Sequence, residues 1–287
     1  MSFANFIPTV WSEALQRELE RKRVYVEDCN RSFEGEIKQK GDTVRILGVG
    51  KPTIKNNITR KNATNDIDGP EEVEDTSVSL TVDQIRYFNY MVGDIDKAQA
   101  VGGVMEALNK ESAEGLANEE DTYVSGLIVK PEVKKLHASP LKVVTGTAGE
   151  GEVNVLYVID NALEKLYELD VNPNSTIVLT VSPRFYTRFK QAYVDKDTDN
   201  SEMMKNGRVA RYGNAIIKMS NNVTRTNDGA VDNLMIRTQR AIAFANAITH
   251  IEPYRPERKF ADAVKGYELF GAKIVRPKEL LNINVTY

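Results

Sequence analysis

The C-terminal third of the chain contains the stretch RAIAFANAITHIEPYRPERKFADAVKGYELFGAKIVRP, which occupies residues 240–277. It opens with an apolar run over 241–248, and further apolar patterns follow at about 266–275 and, just beyond the stretch, at 280–286. Short apolar or alternating runs bounded by Pro, Gly and charged residues are typical of β-strands. The sequence therefore predicts that the chain ends in strands at about 266–275 and 280–286.

Residues 150–250, which precede and overlap this stretch, predict a compact domain with a mixed sheet. Ser182 and Pro183 form a favourable helix start, with Ser as the N-cap and Pro at the first helical position. Strands are indicated at three places, residues 176–182, 214–219 and 233–238. Two helices are expected to turn their apolar faces to the core, through Ile159, Leu163 and Leu166 in one and Phe185 and Phe189 in the other.

A long helix is predicted upstream, over about 94–116. Its apolar stripe recurs at helical spacing through Ala98, Val101, Met105, Leu108 and Ser112. The opposite face is charged, so only a narrow stripe is expected to be buried. Between this helix and the compact domain, residues 140–155 are the best candidate for a linker.

Two alternating runs, at 41–49 and 77–82, predict the strands of a long ribbon. A ribbon of two strands is marginally stable alone in water, so it must pack on something. Its connecting segment separates charge into a basic part, with Lys51, Lys55, Arg60 and Lys61, and an acidic part, with Asp66, Asp68, Glu71, Glu72 and Glu74. Opposite charges on successive segments favour side-by-side docking of identical copies. The alternative is a solvated loop.

The N-terminus is an apolar arm followed by a helix that runs to about residue 23. Two interpretations stay open: an amphipathic helix on its own domain, or an arm that packs on a neighbouring subunit. The apolar members of the arm include Phe3, Phe6 and Trp11, and the polar face of the helix carries Arg17, Arg21, Lys22 and Arg23.

The composition excludes several classes of protein. The 287 residues include 38 Lys and Arg against 41 Asp and Glu, a net charge of −3, which argues against a dedicated nucleic-acid binder. One Cys and two His rule out an intrachain disulfide and offer no zinc-ligand spacing. We expect no signal peptide, and no membrane span because no window approaches about eighteen apolar residues.

Two local motifs partly match known chemical sites. Gly146 and Gly151 have the glycine spacing of a phosphate loop, but Glu152 and Val153 stand where Lys and Ser or Thr are needed. Three alternating acids resemble the start of a calcium loop that lacks its Gly and its bidentate Glu, namely Asp195, Asp197 and Asp199. We therefore expect no catalytic residues, no cofactor and no metal, and a protein that is not an enzyme.

The order of the elements resembles that of the major capsid (coat) protein of tailed bacteriophages. The stretch at 240–277 is similar to the coat-protein family of the short-tailed Salmonella-type phages and their relatives. FIPTVWSEALQRELERKRV, at residues 6–24, is similar to the N-terminal arm of that family. These likenesses span nearly the whole chain and include no catalytic signature.

The resemblance implies an α+β fold of the Hong Kong phage capsid type. The implied parts are an N-arm over 1–32, an extended loop with its flanking strands over 33–93, a peripheral domain with a spine helix over 94–149, an axial domain over 150–248, and a return to the peripheral domain over 249–287.

The resemblance also implies a function. The chain would assemble with itself, as hexamers and pentamers, into the icosahedral head shell around double-stranded DNA. It would be made in the bacterial host cytoplasm and end in the virion. Separate scaffolding and portal proteins, and a decoration protein, are further implied partners. The arm and the charged loop would make the inter-subunit contacts, and the basic residues from Arg17 to Arg23 would touch DNA without sequence preference. The alternatives are an encapsulin-like nanocompartment shell that encloses cargo enzymes, and a soluble enzyme with an unrecognised site.

Overall fold

The computed structural model describes residues 23–32, 43–49, 75–93, 104–194 and 209–287. The helices are α1 (Val104–Gly126), α2 (Val155–Glu168) and α3 (Pro183–Val194). The strands are β1 (Thr43–Val49), β2 (Asp75–Thr81), β3 (Gln84–Gly93), β4 (Lys134–Lys135), β5 (Leu141–Val144), β6 (Glu152–Asn154), β7 (Ile177–Val181), β8 (Val209–Tyr212), β9 (Ala215–Met219), β10 (Arg225–Thr226), β11 (Val231–Thr238), β12 (Ile242–Tyr254), β13 (Ala261–Ile274) and β14 (Leu280–Thr286).

The larger sheet joins nine of the described strands. Its main order is β6-β5-β14-β11-β7-β9-β8, with β10 beside β11 and β4 beside β14. The pairing is mixed, since β7 runs parallel to β9 and antiparallel to β11. The prediction of a mixed sheet in this part of the chain is therefore confirmed.

Helices α2 and α3 pack on one face of the larger sheet. The Asn154 side chain caps α2 by accepting a hydrogen bond from the amide of Leu156 at 2.9 Å. The Ser182 hydroxyl caps α3 as predicted, because it accepts a hydrogen bond from the amide of Phe185 at 3.3 Å. The predicted core positions are confirmed: all five are buried in one cluster, Ile159, Leu163, Leu166, Phe185 and Phe189.

The other face of the larger sheet packs on the N-terminal segment and on the end of α1. Met235 of β11 and Leu280 of β14 share one buried cluster with Tyr25 and Ile128. The sheet thus lies between two layers, which explains why every residue of β11 is buried. A strand buried on both faces has no polar alternation, as β7 and β11 show.

A smaller sheet, in the order β12-β13-β3, is antiparallel throughout. Helix α1 covers one of its faces, with Ala113 and Leu116 packed against Ile251 and Val264. The register of β12 on β13 shifts between Asn246 and Ile248. Such a bulge reverses the alternation of side chains along the strand.

The predicted ribbon is present as the antiparallel pair β1 and β2. It lies across the base of the smaller sheet, on the face opposite α1. The ribbon packs on Ala243, Ala245 and Leu269 of the sheet. The side chains that make these contacts are Val44, Ile46, Leu80 and Val82. The tip of the ribbon, with its charged segment, falls outside the described residues.

Helix α1 ends at Gly126, about ten residues beyond the predicted end at about residue 116. The polar run from Asn118 to Thr122 continues the helix. In the structure Glu120 and Asp121 point inward and are buried with partners. Residues 94–103, where the predicted helix begins, lie outside the described part.

Strand β3 was not predicted. Its outward residues Ile85, Tyr87 and Met91 are as apolar as the inward Phe88 and Tyr90, so the sequence shows no polar and apolar alternation. The helix α1 buries one face, while the tyrosine-rich face stays exposed.

The predicted linker differs from the structure. Residues 140–155 contain β5 and β6, which pair with each other in the larger sheet, and the turn between them is exposed. Strand β14 pairs with β11, which lies within the predicted axial domain, and with β5, which lies within the predicted peripheral domain. The domain limits stay a prediction. Sheet pairing between distant strands leaves no local sign in the sequence.

Candidate assembly surfaces

The smaller sheet carries a concentrated apolar surface. Eight large apolar side chains are exposed among the described residues, and five of them belong to this sheet or to the hairpin between β12 and β13. We call the tyrosine face the set Ile85, Tyr87, Met91 and Tyr267, whose exposures are 38%, 79%, 50% and 39%. Tyr87 and Tyr267 are direct cross-strand partners. Contiguous exposed apolar surface of this kind marks interaction sites in soluble proteins.

A row of polar contacts crosses the tyrosine face between Tyr87 and Met91. Lys265 Nζ lies 3.0 Å from a Glu252 carboxylate oxygen and 5.3 Å from the centre of the Tyr254 ring. The Tyr254 hydroxyl donates a hydrogen bond to Asn89 Oδ1 at 3.1 Å. These residues form a row across the strands, and their contacts fix the positions of the side chains on this face.

The hairpin beyond the tyrosine face ends in an exposed aromatic ring beside basic residues. Phe260 is 88% exposed, the highest value among the exposed large apolar side chains. Its neighbours Arg258 and Lys259 are exposed, and Glu257 is the one acid of the turn between β12 and β13. The tip therefore combines positive charge with an apolar anchor.

The base of the same sheet face is closed by the chain itself. The backbone of Thr81 and Val82 lies against Gly271 so closely that a Cβ atom there would sit 2.3 Å from the Thr81 carbonyl oxygen. Only glycine permits this approach. The ribbon covers the base of the face, and the tyrosine face continues beyond it.

The N-terminal segment 23–30 is anchored inside the fold. Both carboxylate oxygens of Asp121 accept backbone hydrogen bonds, from the amides of Val24, Tyr25 and Val26 at 2.8, 2.9 and 3.1 Å. Asn30 then bridges to β12, since its amide donates to the carbonyl of Ile242 at 2.9 Å. Part of the predicted N-arm, 1–32, therefore belongs to the core of its own chain.

Arg237 ties the same segment to the larger sheet. Its guanidinium donates to the carbonyl oxygen of Tyr25 at 2.5 Å and to Cys29 Sγ at 3.1 Å. Burial raises the pKa of the Cys29 thiol and of the Tyr25 hydroxyl above their ordinary values. Both groups are neutral at ordinary pH, so Arg237 is held by hydrogen bonds in a fully buried position.

Arg23, predicted to face DNA, is buried. Its Nε donates to Glu120 Oε2 at 2.5 Å and its Nη2 to Glu120 Oε1 at 2.7 Å, and Nη2 also lies 3.3 Å from Glu268 Oε1. Its side chain is 4% exposed. The prediction is therefore wrong for this residue, because two acids from distant parts of the chain enclose its charge.

The other predicted contact residues lie outside the described part of the chain, and they stay predictions. They are Phe3, Phe6 and Trp11, the basic Arg17, Arg21 and Lys22, and the loop residues Lys51, Lys55, Arg60, Lys61, Asp66, Asp68, Glu71, Glu72 and Glu74. The residues Asp195, Asp197 and Asp199 also lie outside it.

The glycine-containing turn at 146–151 binds one of the chain's own carboxylates. Glu152 lies 2.9 Å from Lys142 Nζ and accepts a hydrogen bond from the amide of Gly149 at 3.3 Å. The Lys142 ammonium and the Gly149 amide lower the pKa of Glu152. A carboxylate at this place disfavours a bound phosphate, as the sequence predicts.

Within residues 23–32, 43–49, 75–93, 104–194 and 209–287, no group of three or more His, Cys, Asp or Glu is arranged to hold a metal ion. Among the helices in the same ranges, none is both long and apolar enough to cross a membrane.

Sequence reasoning missed the tyrosine face, Asp121 and the carboxylates around Arg23. One signal was available for the first: Ile85, Tyr87 and Met91 recur at every second position, which is typical of one face of a strand. The buried acids gave no such signal, because their partners are about a hundred or more residues away.

The fold is the Hong Kong phage type of capsid fold. A chain of Mycobacterium phage Che8 superposes with a TM-score of 0.68 at 24% identity, over 91% of this chain and 90% of that one. A chain from the capsid of the Cyanophage P-SCSP1u gives 0.67 at 14% identity, over 90% and 86%. A chain of a virus-like particle from Pyrococcus furiosus gives 0.54 at 12% identity, over 94% and 96%. No protein-family model and no curated protein sequence matches the chain.

Proposed function

We propose that the chain is the major capsid protein of a tailed phage, the repeated subunit of an icosahedral head shell that encloses double-stranded DNA. The observation that carries the proposal is the fold, which matches a phage capsid chain over 90% of this chain and 86% of the other. Its role is structural, and its place is the virion. Hexamers and pentamers of the chain build the shell, with separate scaffolding and portal proteins and a decoration protein as further partners.

A nanocompartment shell is the second candidate. It is supported by the likeness to the virus-like particle, whose chain is covered to 96%. Electron microscopy of the native particle distinguishes the two: DNA-filled heads bearing tails are expected, whereas small shells filled with protein cargo would favour the second. A chain that stays monomeric at high concentration in size-exclusion chromatography would contradict both.

We propose that the tyrosine face is covered by a second copy of the chain. The ribbon already buries the base of this face, which leaves the outer part without a partner among the described residues. Charge supports a second copy as the occupant, because the basic hairpin tip beside the face complements the acidic segment at 66–74 of the same chain. Contacts between different surfaces of identical copies are those that build rings and shells.

Tyr87→Ser is expected to block shell formation while the chain stays folded. The side chain is 79% exposed, so its removal changes the free energy of unfolding by about 0.5 kcal/mol or less. An aromatic anchor at the centre of an interface contributes about 2 kcal/mol or more at each repeated contact. Sedimentation of assembled material measures the effect.

Tyr157→Ser is the matched control for Tyr87→Ser. Tyr157 is 61% exposed on α2, on a different surface. We expect this variant to assemble as the wild type does. Equal shell yields from the two variants would show that the tyrosine face is not an interface.

The charged loop and the N-terminal arm are proposed as further contacts between subunits. Their support is the charge segregation between Lys51 and Glu74 and the apolar residues Phe3, Phe6 and Trp11. The basic residues Arg17, Arg21 and Lys22 are proposed to touch packaged DNA, and the binding would weaken with salt.

Reversing the four basic charges of the loop tests this contact. A variant with Glu at positions 51, 55, 60 and 61 is expected to lose shell yield or heat resistance, because its loop would then repel the acidic part of the next copy. The circular-dichroism melting curve of the unassembled chain should be unchanged. Shells with wild-type yield and heat resistance would overturn the loop assignment.

A further inference from the structure

Three charged side chains are buried together where the N-terminal segment, α1 and β13 meet. Arg23 belongs to the N-terminal segment, Glu120 to α1 and Glu268 to β13, and their side chains are 4%, 0% and 0% exposed. The Arg23 guanidinium makes its two shorter contacts with Glu120, at 2.5 and 2.7 Å, and its longer one with Glu268, at 3.3 Å. We call Glu120 and Glu268 the carboxylate pair.

The charges around the pair do not balance if both acids are ionised. Arg23 is the cation that pairs with both acids among the described residues. Arg86, on the neighbouring strand β3, is paired at 2.9 Å with the exposed Glu119 and stacks on a ring. From β12 the pair receives a neutral donor, the Asn246 amide, which bonds to Glu268 Oε1. The site thus holds two acids and one cation.

Asp121 adds to this imbalance from the next position of α1. Its carboxylate is occupied by the amides of Val24, Tyr25 and Val26 and makes no ion pair with Arg23. A second full negative charge on the carboxylate pair would therefore be buried beside another acid. Buried charges without a partner are costly, and an acid in that position takes up a proton instead.

The contacts of the pair leave room for one shared proton. Glu268 Oε2 is buried and has no hydrogen-bond partner, whereas both oxygens of Glu120 accept from Arg23. Burial raises the pKa of both acids, and the nearby Glu268 carboxylate raises that of Glu120 further. The Arg23 guanidinium contacts both acids, so the shared proton is a property of the pair and not of one member.

We propose that the carboxylate pair holds one proton in the folded chain, and that loss of this proton opens the contact between α1 and β13 and loosens the N-terminal segment. With both acids ionised, two like charges face each other between α1 and β13. Separation of α1 from β13 lets water hydrate both carboxylates and relieves their repulsion. Segment 23–30 depends on this contact, because α1 holds it through Asp121. The proposal stands whether or not the chain forms a shell.

The direction of the pH dependence follows from the raised pKa. Below the ordinary glutamate pKa, about 4.3, both folded and unfolded chains hold the proton, so the stabilisation is complete. As the pH rises through the raised pKa, the folded chain loses it, and the stabilisation is lost as well. The N-terminal segment is therefore held more firmly at acidic than at alkaline pH.

Hydrogen exchange in the full chain, unassembled, tests the proposal. The amides of Val24, Tyr25 and Val26 are followed from about pH 5 to pH 9, with rates corrected for the intrinsic effect of pH. Release of one proton is linked to at most a tenfold loss of protection per pH unit. We expect protection to fall with pH inside this range. Protection that does not change with pH would overturn the proposal without any variant.

Two substitutions sharpen the test. Glu268→Gln leaves one acid and one cation in the site, so no second negative charge has to be buried, and the protection of the segment is expected to stay high and independent of pH. Glu119→Gln removes the same charge from the exposed neighbour on α1 and is expected to keep the wild-type dependence. If Glu268→Gln shows the wild-type slope, or if Glu119→Gln abolishes it, the carboxylate pair is not the titrating group.

Discussion

Gly271→Ala is expected to destabilise the folded chain by about 3 kcal/mol or more, the upper part of the range for overpacking a rigid site. The added Cβ would lie 2.3 Å from the Thr81 carbonyl oxygen and 3.0 Å from Val82 Cα. Both are backbone atoms, so no side-chain rotation relieves the contact, and the ribbon of β1 and β2 must move from the sheet. Urea denaturation of the unassembled chain measures the change.

Gly115→Ala is the matched control for Gly271→Ala. Gly115 lies within α1, and a Cβ atom there meets nothing within 4 Å. Because alanine favours a helix over glycine by about 0.5–1 kcal/mol, this variant should be slightly more stable than the wild type. The same loss of stability in both variants would mean that the ribbon does not press on Gly271.

Asp121→Ala is expected to lower the free energy of unfolding by about 3–5 kcal/mol, since it strands several buried donors. It removes the acceptor of three backbone amides, at Val24, Tyr25 and Val26. Each buried donor left without a partner costs about 1–3 kcal/mol. The N-terminal segment should become accessible to protease at a site that is protected in the wild type, and limited proteolysis with mass spectrometry detects the cut.

Two variants frame the effect of Asp121→Ala. Asp121→Asn keeps Oδ1, which serves Tyr25 and Val26, but places an amide donor against the Val24 amide, so an intermediate loss is expected. Glu111→Ala, exposed on the same helix, should change stability by about 0.5 kcal/mol or less. A wild-type proteolysis pattern for Asp121→Ala would contradict the anchoring role.

The ribbon and the start of α3 are elements that consecutive residues of the sequence predict. The alternation in 41–49 and 77–82 correctly predicts β1 and β2, and the Ser182 and Pro183 pair correctly predicts the start of α3. Each of these signals is contained in a few consecutive residues. Periodicity and capping act through neighbours in the chain, and so the sequence carries them directly.

Local sequence pattern predicts the candidate assembly surface only in part. The residues of the tyrosine face on β3 have the two-residue period of a strand. However, β3 is apolar on both faces, so the sequence does not show which face is covered. That choice depends on α1, which packs on Phe88 and Tyr90 and leaves Tyr87 outside. The basic hairpin tip, in contrast, is visible as a charged turn between two apolar runs.

Short-range sequence pattern determined the type of most helices and strands in 155–286. It also determined the resemblance to phage coat proteins and the absence of a recognisable catalytic motif. The burial of Arg23, Glu120 and Glu268, the seat of the ribbon on Gly271 and the place of β14 inside the larger sheet were decided by tertiary packing. A charged residue carries the same local signature on a solvated helix face as beside a buried counter-charge. Only the approach of distant segments determines which of the two environments it meets.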